Sequence, residues 1–264
     1  MEIRCDGRRA VVTAGGSGIG LTIARTLLAN GADVVVCDVD DNALAALNES
    51  DAGLTTVHCD VADPTGVADL FTAAEGAMGG VDILVNNAGI AGPTKHVEDM
   101  LPEEWERTIA VDVNGQFYCA RHAVPFMRAA GRGTIVSISS TAGRLGFPLR
   151  LPYATAKRAL LGFVDTLAME LGPANINVNA ILPGYMLNER ARNVLQAKAD
   201  ASGRSYEDIL DIVLSRISMR TGIEEQEVAD LVLYLSSEQG RHISGQHISV
   251  DGNLETYAGL DKLD

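Results

Sequence analysis

The sequence predicts an α/β protein: a doubly wound parallel sheet with helices on both faces. Three observations predict it. From residue 10 to residue 181, short apolar runs alternate with stretches of helical periodicity, the β-α-β order that builds a parallel sheet. Several runs are apolar at nearly every position, as strands buried on both faces are. A glycine-rich turn directly follows the first run, which argues against the main rival, a TIM barrel.

The elements fall in order. Residues 10–13, Ala-Val-Val-Thr, form the first strand. Residues 33–38, with Val34, Val35 and Val36, form the second, because β-branched side chains pack well on a pleated surface. The runs 54–59, 82–85, 134–138 and 176–181 repeat the pattern, and 247–250 completes about seven strands. Helical stretches lie at 19–29, 67–78 and 228–236. Right-handed crossovers then give the doubly wound arrangement. Residues 188–221 depart from this rhythm: they are helical in pattern and carry Arg190, Arg192, Lys198, Arg204, Arg216 and Arg220. They are read as a substrate-lid insertion, or else as a solvated helical pair. With no repeat, low-complexity tract or linker, 1–264 reads as one domain.

Composition narrows the function classes. Lys and Arg number 21 against 35 Asp and Glu, a net charge of −14. So acidic a surface repels phosphate backbones and argues against a nucleic-acid partner, though not against a local basic pocket. Cys5, Cys37, Cys59 and Cys119 lie far apart, with no C-x-x-C pair and no Cys/His cluster. Buried reduced thiols are therefore expected, and no disulfide framework or metal site. No apolar run approaches the ~20 residues that span a bilayer. The polar start Met1-Glu2-Ile3-Arg4 lacks a signal-peptide core, so a soluble cytoplasmic protein with no membrane partner is expected.

The turn reads Thr13-Ala14-Gly15-Gly16-Ser17-Gly18-Ile19-Gly20. Glycines let the backbone bend sharply and approach a ligand, and the following helix offers free N–H groups to a pyrophosphate. The spacing departs from strict G-x-G-x-x-G, since Leu21 stands where a third glycine would fall. Asp38 ends the second strand, where a carboxylate accepts the hydroxyls of an adenosine ribose and repels a 2′-phosphate. Gly16 and Ser17 stand where a basic residue would meet that phosphate. Both points favour NAD over NADP. The plainer reading of Asp38 is a surface carboxylate in the acidic run 38–41.

Further motifs follow in a set order: Asn86-Asn87-Ala88-Gly89 after the fourth strand, Asn114 in the next helix, Ser139-Ser140 ending the fifth strand, Tyr153-x-x-x-Lys157, and Pro183-Gly184 after the sixth strand. With the glycine turn, they make the chain resemble the short-chain dehydrogenase/reductase family in its compact soluble form, from about Gly7 to Asp251. The resemblance implies a Rossmann-like fold and hydride exchange with a nicotinamide dinucleotide.

The catalytic chemistry also follows from the residues. Tyr153 and Lys157, four apart, share one face of a helix. An unperturbed tyrosine, ionising near ~10, is a poor base at neutral pH, and a neighbouring ammonium favours its phenolate. Tyr153 then takes the alcohol proton as hydride leaves. Ser140 hydrogen-bonds the substrate oxygen as its charge changes. The resemblance implies the same roles and makes Lys157 a ribose ligand as well. It selects Ser140 over Ser139 by its thirteen-residue separation from Tyr153, and it gives Asn114 a water in a proton relay. Singly, each residue has a plain reading: a strand-ending serine, a helix-bending asparagine, a chance Tyr–Lys pair.

For the cofactor, the resemblance implies contacts from Gly15, Ser17, Gly18 and Ile19 at the turn and from Asp38 at the ribose. It adds Asp60 and Val61 at the adenine, Asn87 and Gly89 at the middle, Tyr153 and Lys157, and Gly184 to Met186 at the nicotinamide. Three positions depart from the family pattern. Ala14 stands where glycine is common, Asn188 where a threonine usually bonds the nicotinamide amide, and Asn253 where a second glycine often follows Asp251-Gly252.

The substrate side is expected from 91–96, 141–151 and the 188–221 insertion. Arg144 and Arg150 precede Tyr153 and are candidates to meet a carboxylate, sulfonate or polyol, or else are structural. Leu145, Phe147, Met186 and Leu187 supply an apolar side. Wide apolar faces on the helices of Asn114 and Tyr153 suggest a subunit contact, and the resemblance implies a homotetramer. The expected function is NAD-dependent oxidation of a secondary alcohol (polyol, sugar, alicyclic alcohol or hydroxy acid) to the ketone. The alternatives are a 3-oxoacyl-type ketone reductase and a catalytically idle dinucleotide sensor.

Overall fold

The computed structural model describes residues 2–254, apart from the side chains at 189, 190, 194, 197, 198 and 201. The ends of the expected 1–264 domain, and the Arg190 and Lys198 side chains of the expected lid, therefore lie outside the described residues.

Seven strands form one all-parallel sheet: β1 (Arg9–Thr13), β2 (Asp33–Asp38), β3 (Leu54–His58), β4 (Ile83–Asn86), β5 (Gly133–Ile138), β6 (Ile176–Pro183) and β7 (His247–Val250). Their order is β3-β2-β1-β4-β5-β6-β7. This is the doubly wound, Rossmann-like sheet that the sequence predicts, with β2 and β7 at the predicted bounds and the other strands shifted at an end by a residue or two. The order reverses between β1 and β4, which opens a crevice at their carboxyl ends, the place where such sheets take ligands.

The strands bury both faces, and their side chains alternate between two layers. Val11 and Val35 pack toward α3 (Pro64–Met78), α5 (Gly115–Ala130) and α6 (Leu151–Leu171), against Leu70, Met127 and Leu161. Val12, Val34 and Val36 pack the other way, against Ile23 and Leu27 of α1 (Gly18–Ala29), Leu44 of α2 (Asp41–Ser50) and Val228 of α9 (Glu225–Ser236). Periodicity left α2 unassigned. Its start is fixed by Asp40, whose carboxylate accepts the N–H groups of Asn42 and Ala43. Asp63 caps α3 in the same way, with Pro64 in the first turn and Gly79 ending the helix in the left-handed region.

At the amino end of the sheet, fully buried Asp82 accepts the side chain of Arg9 at 2.7 and 3.1 Å, the Arg9 N–H at 3.1 Å and Arg132 at 3.3 Å. At the other end, α4 (Pro102–Ile109) runs into a π-turn (Ala110–Asn114) before α5 begins. After β6, residues 188–221 fold mainly as α7 (Glu189–Ser202) and α8 (Tyr206–Leu214). All four cysteines are buried free thiols. Among the described residues no helix is long and apolar enough to cross a membrane.

Candidate active site

The glycine turn is drawn tight against its neighbours. A Cβ on Gly20 would stand 2.1 Å from the Ala14 carbonyl oxygen, and one on Gly15 2.7 Å from Val36 Cβ. Gly18 and Ala14 both have positive φ, +55° and +50°. A glycine takes that conformation freely, whereas Ala14 takes it at a cost of about 1–2 kcal/mol. Ser17 sits at the N-cap of α1, yet its side chain makes no capping bond, which leaves the first N–H groups of the helix open to an anion. The cradle and the uncapped helix start fit a dinucleotide pyrophosphate. Asn87 staples the turn to the end of β4. Its amide donates to Thr13 O and Ala14 O at 3.0 and 3.1 Å.

Asp38 closes this end of the site. Its Oδ2 accepts the Gly16 N–H at 3.0 Å, and its Oδ1 accepts the N–H groups of Val39 and Asp40. The carboxylate is therefore fixed beside the turn. Asp60 is more committed than its sequence position suggests: Oδ1 accepts the Ala62 N–H, and Oδ2 pairs with Arg107 of α4 at 2.9 Å. Val61 is buried and packs where a Cβ on Gly115 would come within 2.7 Å of it.

Tyr153 and Lys157 lie together on α6, with Lys157 Nζ 5.6 Å from the Tyr153 ring centre. Lys157 is buried and donates to Ile138 O at 3.2 Å. Gly89 comes close beside it: a Cβ there would lie 2.9 Å from Nζ, and the ammonium would have to shift. The two serines divide their work. Ser139 is buried, and its hydroxyl donates to Lys157 O at 2.8 Å. Ser140 accepts the Ala142 N–H at 3.1 Å, which leaves its own O–H available to a ligand.

Two expected residues make no direct bond to this cluster among the described residues. Asn114 is exposed at the end of the π-turn, and among the described residues no hydrogen bond joins it to Ser140, Tyr153 or Lys157. The residue that turns inward there is Asp112, fully buried, with Oδ2 3.5 Å from Lys157 Nζ and Oδ1 accepting the Ile90 N–H at 2.7 Å. Burial pushes the Asp112 carboxyl up, against the opposing pull of Lys157. Sequence reasoning missed it; the available signal was a lone acid among apolar residues in Ala110-Val111-Asp112-Val113. Arg144 reaches Ser249 on β7 at 3.1 Å. Arg150 instead sits 5.3 Å from the Tyr153 ring centre and donates to Ala91 O at 2.7 Å, with a buried Nε that has no partner among the described residues.

Beyond β6, Gly184 N–H donates to Val250 O, and Met186 bridges to Ile223. Asn188 is committed as the cap of α7: its Oδ1 accepts the Ala191 N–H at 3.0 Å, while Nδ2 donates to Glu225 at 3.4 Å.

A family model described as Enoyl-(Acyl carrier protein) reductase matches residues 13–254. The D-beta-hydroxybutyrate dehydrogenase of Rhizobium meliloti is 34% identical over 252 residues, covering 93% of this chain and 97% of that one. The chain belongs to the short-chain dehydrogenase/reductase family. Another member, the trans-4-hydroxycyclohexanecarboxylate dehydrogenase of Sinomonas cyclohexanicum, is 35% identical over 257 residues, covering 92% of this chain and 91% of its own. The structure of L-sorbose reductase from Gluconobacter frateurii, complexed with NADPH and L-sorbose, matches with a TM-score of 0.89 at 30% identity, over 97% of this chain and 100% of that one. As a short-chain dehydrogenase/reductase, this chain is an oxidoreductase that uses a nicotinamide dinucleotide.

Proposed function

We propose that the protein is an NAD-dependent dehydrogenase that oxidises a secondary alcohol bearing an acidic group to the ketone. The observation that carries this reading is the placement of two cations near the Tyr153 ring, Lys157 at 5.6 Å and Arg150 at 5.3 Å from its centre. Bound NAD⁺ supplies the hydride acceptor. Tyr153 takes the hydroxyl proton, Lys157 favours the anionic form of that tyrosine, and Ser140 donates its O–H to the substrate oxygen. Arg150, partly exposed beside the Tyr153 ring, supports binding of a carboxylate. Two relatives, a D-beta-hydroxybutyrate dehydrogenase and a trans-4-hydroxycyclohexanecarboxylate dehydrogenase, point the same way.

Asp38 supports NAD over NADP, because a fixed carboxylate beside Gly16 repels a 2′-phosphate. Ser17, Gly18 and Ile19 hold the pyrophosphate, and Asp60, Val61, Gly184 and Met186 line the rest of the cofactor's path. In this reading α7 and α8 cover the substrate. Phe117 of α5 and Met169 of α6, 49% and 83% exposed, lie on helix faces that suit contacts between copies in a homotetramer. A second reading, ketone reduction, is favoured by the likeness to an L-sorbose reductase complexed with NADPH. The test is NADH formation from NAD⁺ with 3-hydroxybutyrate, 4-hydroxycyclohexanecarboxylate, polyols and cyclohexanol, with NADP⁺ run in parallel. Turnover of the acids with NAD⁺ is expected; preference for NADP⁺, or for neutral alcohols, counts against the proposal.

A further inference from the structure

The pair formed by Asp112 and Lys157 carries a consequence for the proton chemistry. Both side chains are buried, 0% and 5% exposed, and they meet at 3.5 Å. Oδ2 of Asp112 has no hydrogen bond among the described residues, so the ammonium is what compensates its charge. The charged or titratable groups gathered here are Lys157 and Tyr153 from α6, Asp112 from the π-turn, and Arg150 from the segment before α6, over the tyrosine ring. The ends of β4 and β5 contribute backbone, through Ile90 N–H and Ile138 O.

We propose that Asp112 is a positioning residue which holds Lys157 and, as a carboxylate, raises the pH at which the Tyr153–Lys157 pair gives up its first proton. This rests on the proposed role of Tyr153. The sign does not depend on which member of the pair loses the proton. A nearby negative charge stabilises the ammonium and opposes the phenolate, so either loss is harder beside Asp112 than beside a neutral residue. Asp112 thus acts through Lys157 and never touches the substrate.

The test is a titration that needs no turnover. Tyrosinate absorbance is followed against pH with NADH bound, in wild type minus Tyr153→Phe and in Asp112→Asn minus the Asp112→Asn/Tyr153→Phe double variant. The difference isolates Tyr153, whichever alcohol the enzyme takes. Asp112→Asn is expected to lower the midpoint by about one pH unit. The acid limb of kcat/KM for oxidation of any substrate found is expected to fall with it. An unchanged or raised midpoint, or no tyrosine titration below unfolding in either background, overturns the proposal. Asp112→Ser, which keeps an acceptor for Ile90 N–H, guards against a folding failure of the first variant. If neither variant folds, Asp112 is structural and the proposal falls. An enzyme inactive on every alcohol yet showing the shifted midpoint would sink the proposed function and leave this inference standing.

Discussion

Asn87 and Thr13 bond each other twice. The Asn87 amide donates to Thr13 O at 3.0 Å, and the Asn87 N–H donates to Thr13 Oγ1 at 3.0 Å. The glycine turn thereby takes its position from β4 as well as from β1. Replacing Asn87 by alanine removes the two bonds made by its amide, to Thr13 and Ala14. We expect a loss of about 1–3 kcal/mol in stability and NADH binding weakened on the order of tenfold. Urea unfolding and fluorescence titration with NADH check both. Unaltered NADH affinity would show that the turn is set by its own glycines.

Arg150 lies 5.3 Å from the Tyr153 ring centre, a second cation beside Lys157 at 5.6 Å. Arg150→Ala is expected to raise KM for hydroxy acids ten- to a hundredfold, the order of one charge-assisted bond at about 1.5–3 kcal/mol. KM for neutral cyclic alcohols should hold. Equal losses on acidic and neutral substrates would make the arginine a structural support of the Tyr153 ring.

Asp82 ties stability to pH. Burial alone would raise its carboxyl, but the bonds from Arg9 and the charge of Arg132 outweigh it and hold the group below the usual carboxylate range. A depressed folded-state value means that the stabilisation is complete above the unfolded value near ~4 and is lost as pH falls through the folded one. Asp82→Asn should cost roughly 2–3 kcal/mol at neutral pH, less than a fully buried pair because both arginines reach solvent. It should also flatten the acid end of the stability curve. Urea midpoints across the acid range would show whether wild type loses that margin and the variant does not.

Ala14 carries a backbone cost that a smaller residue escapes. With φ at +50°, Ala14→Gly should gain about 1 kcal/mol, partly offset by the greater freedom of glycine in the unfolded chain. Thermal unfolding reads the difference; a lower Tm would mean that the Ala14 methyl group, packed beside the core, contributes more than the strain removes.

The strands were legible because Val34 to Val36 and Ile135 are buried on both sides of the sheet, so their runs are apolar throughout. Helix α2 was not, because it buries just Leu44 and Leu47 among polar neighbours. The order of the site motifs was legible, and so was the meeting of Tyr153 with Lys157, since spacing along one helix fixes it. The inward residue of the π-turn was not. An extra residue in the turn rotates the helix face, so a count of ordinary turns cannot tell Asp112 from Asn114. The partner of Asp60 was hidden for another reason: Arg107 lies 47 residues away in sequence, and chain folding alone brings them together.

The acidic run 38–41 reads as surplus surface charge. In the folded chain Asp38 anchors the Gly16 N–H, Asp40 fastens the start of α2, and Asp41 grips His58 on β3 at 2.7 Å. Three neighbouring carboxylates thus hold three separate parts of the structure beside the glycine turn. On the proposed preference for NAD, re-engineering the enzyme toward a phosphorylated cofactor by adding positive charge here is therefore a problem in mechanical repair as much as in electrostatics. Asp40 must still cap α2, and whatever replaces Asp38 must still hold the turn.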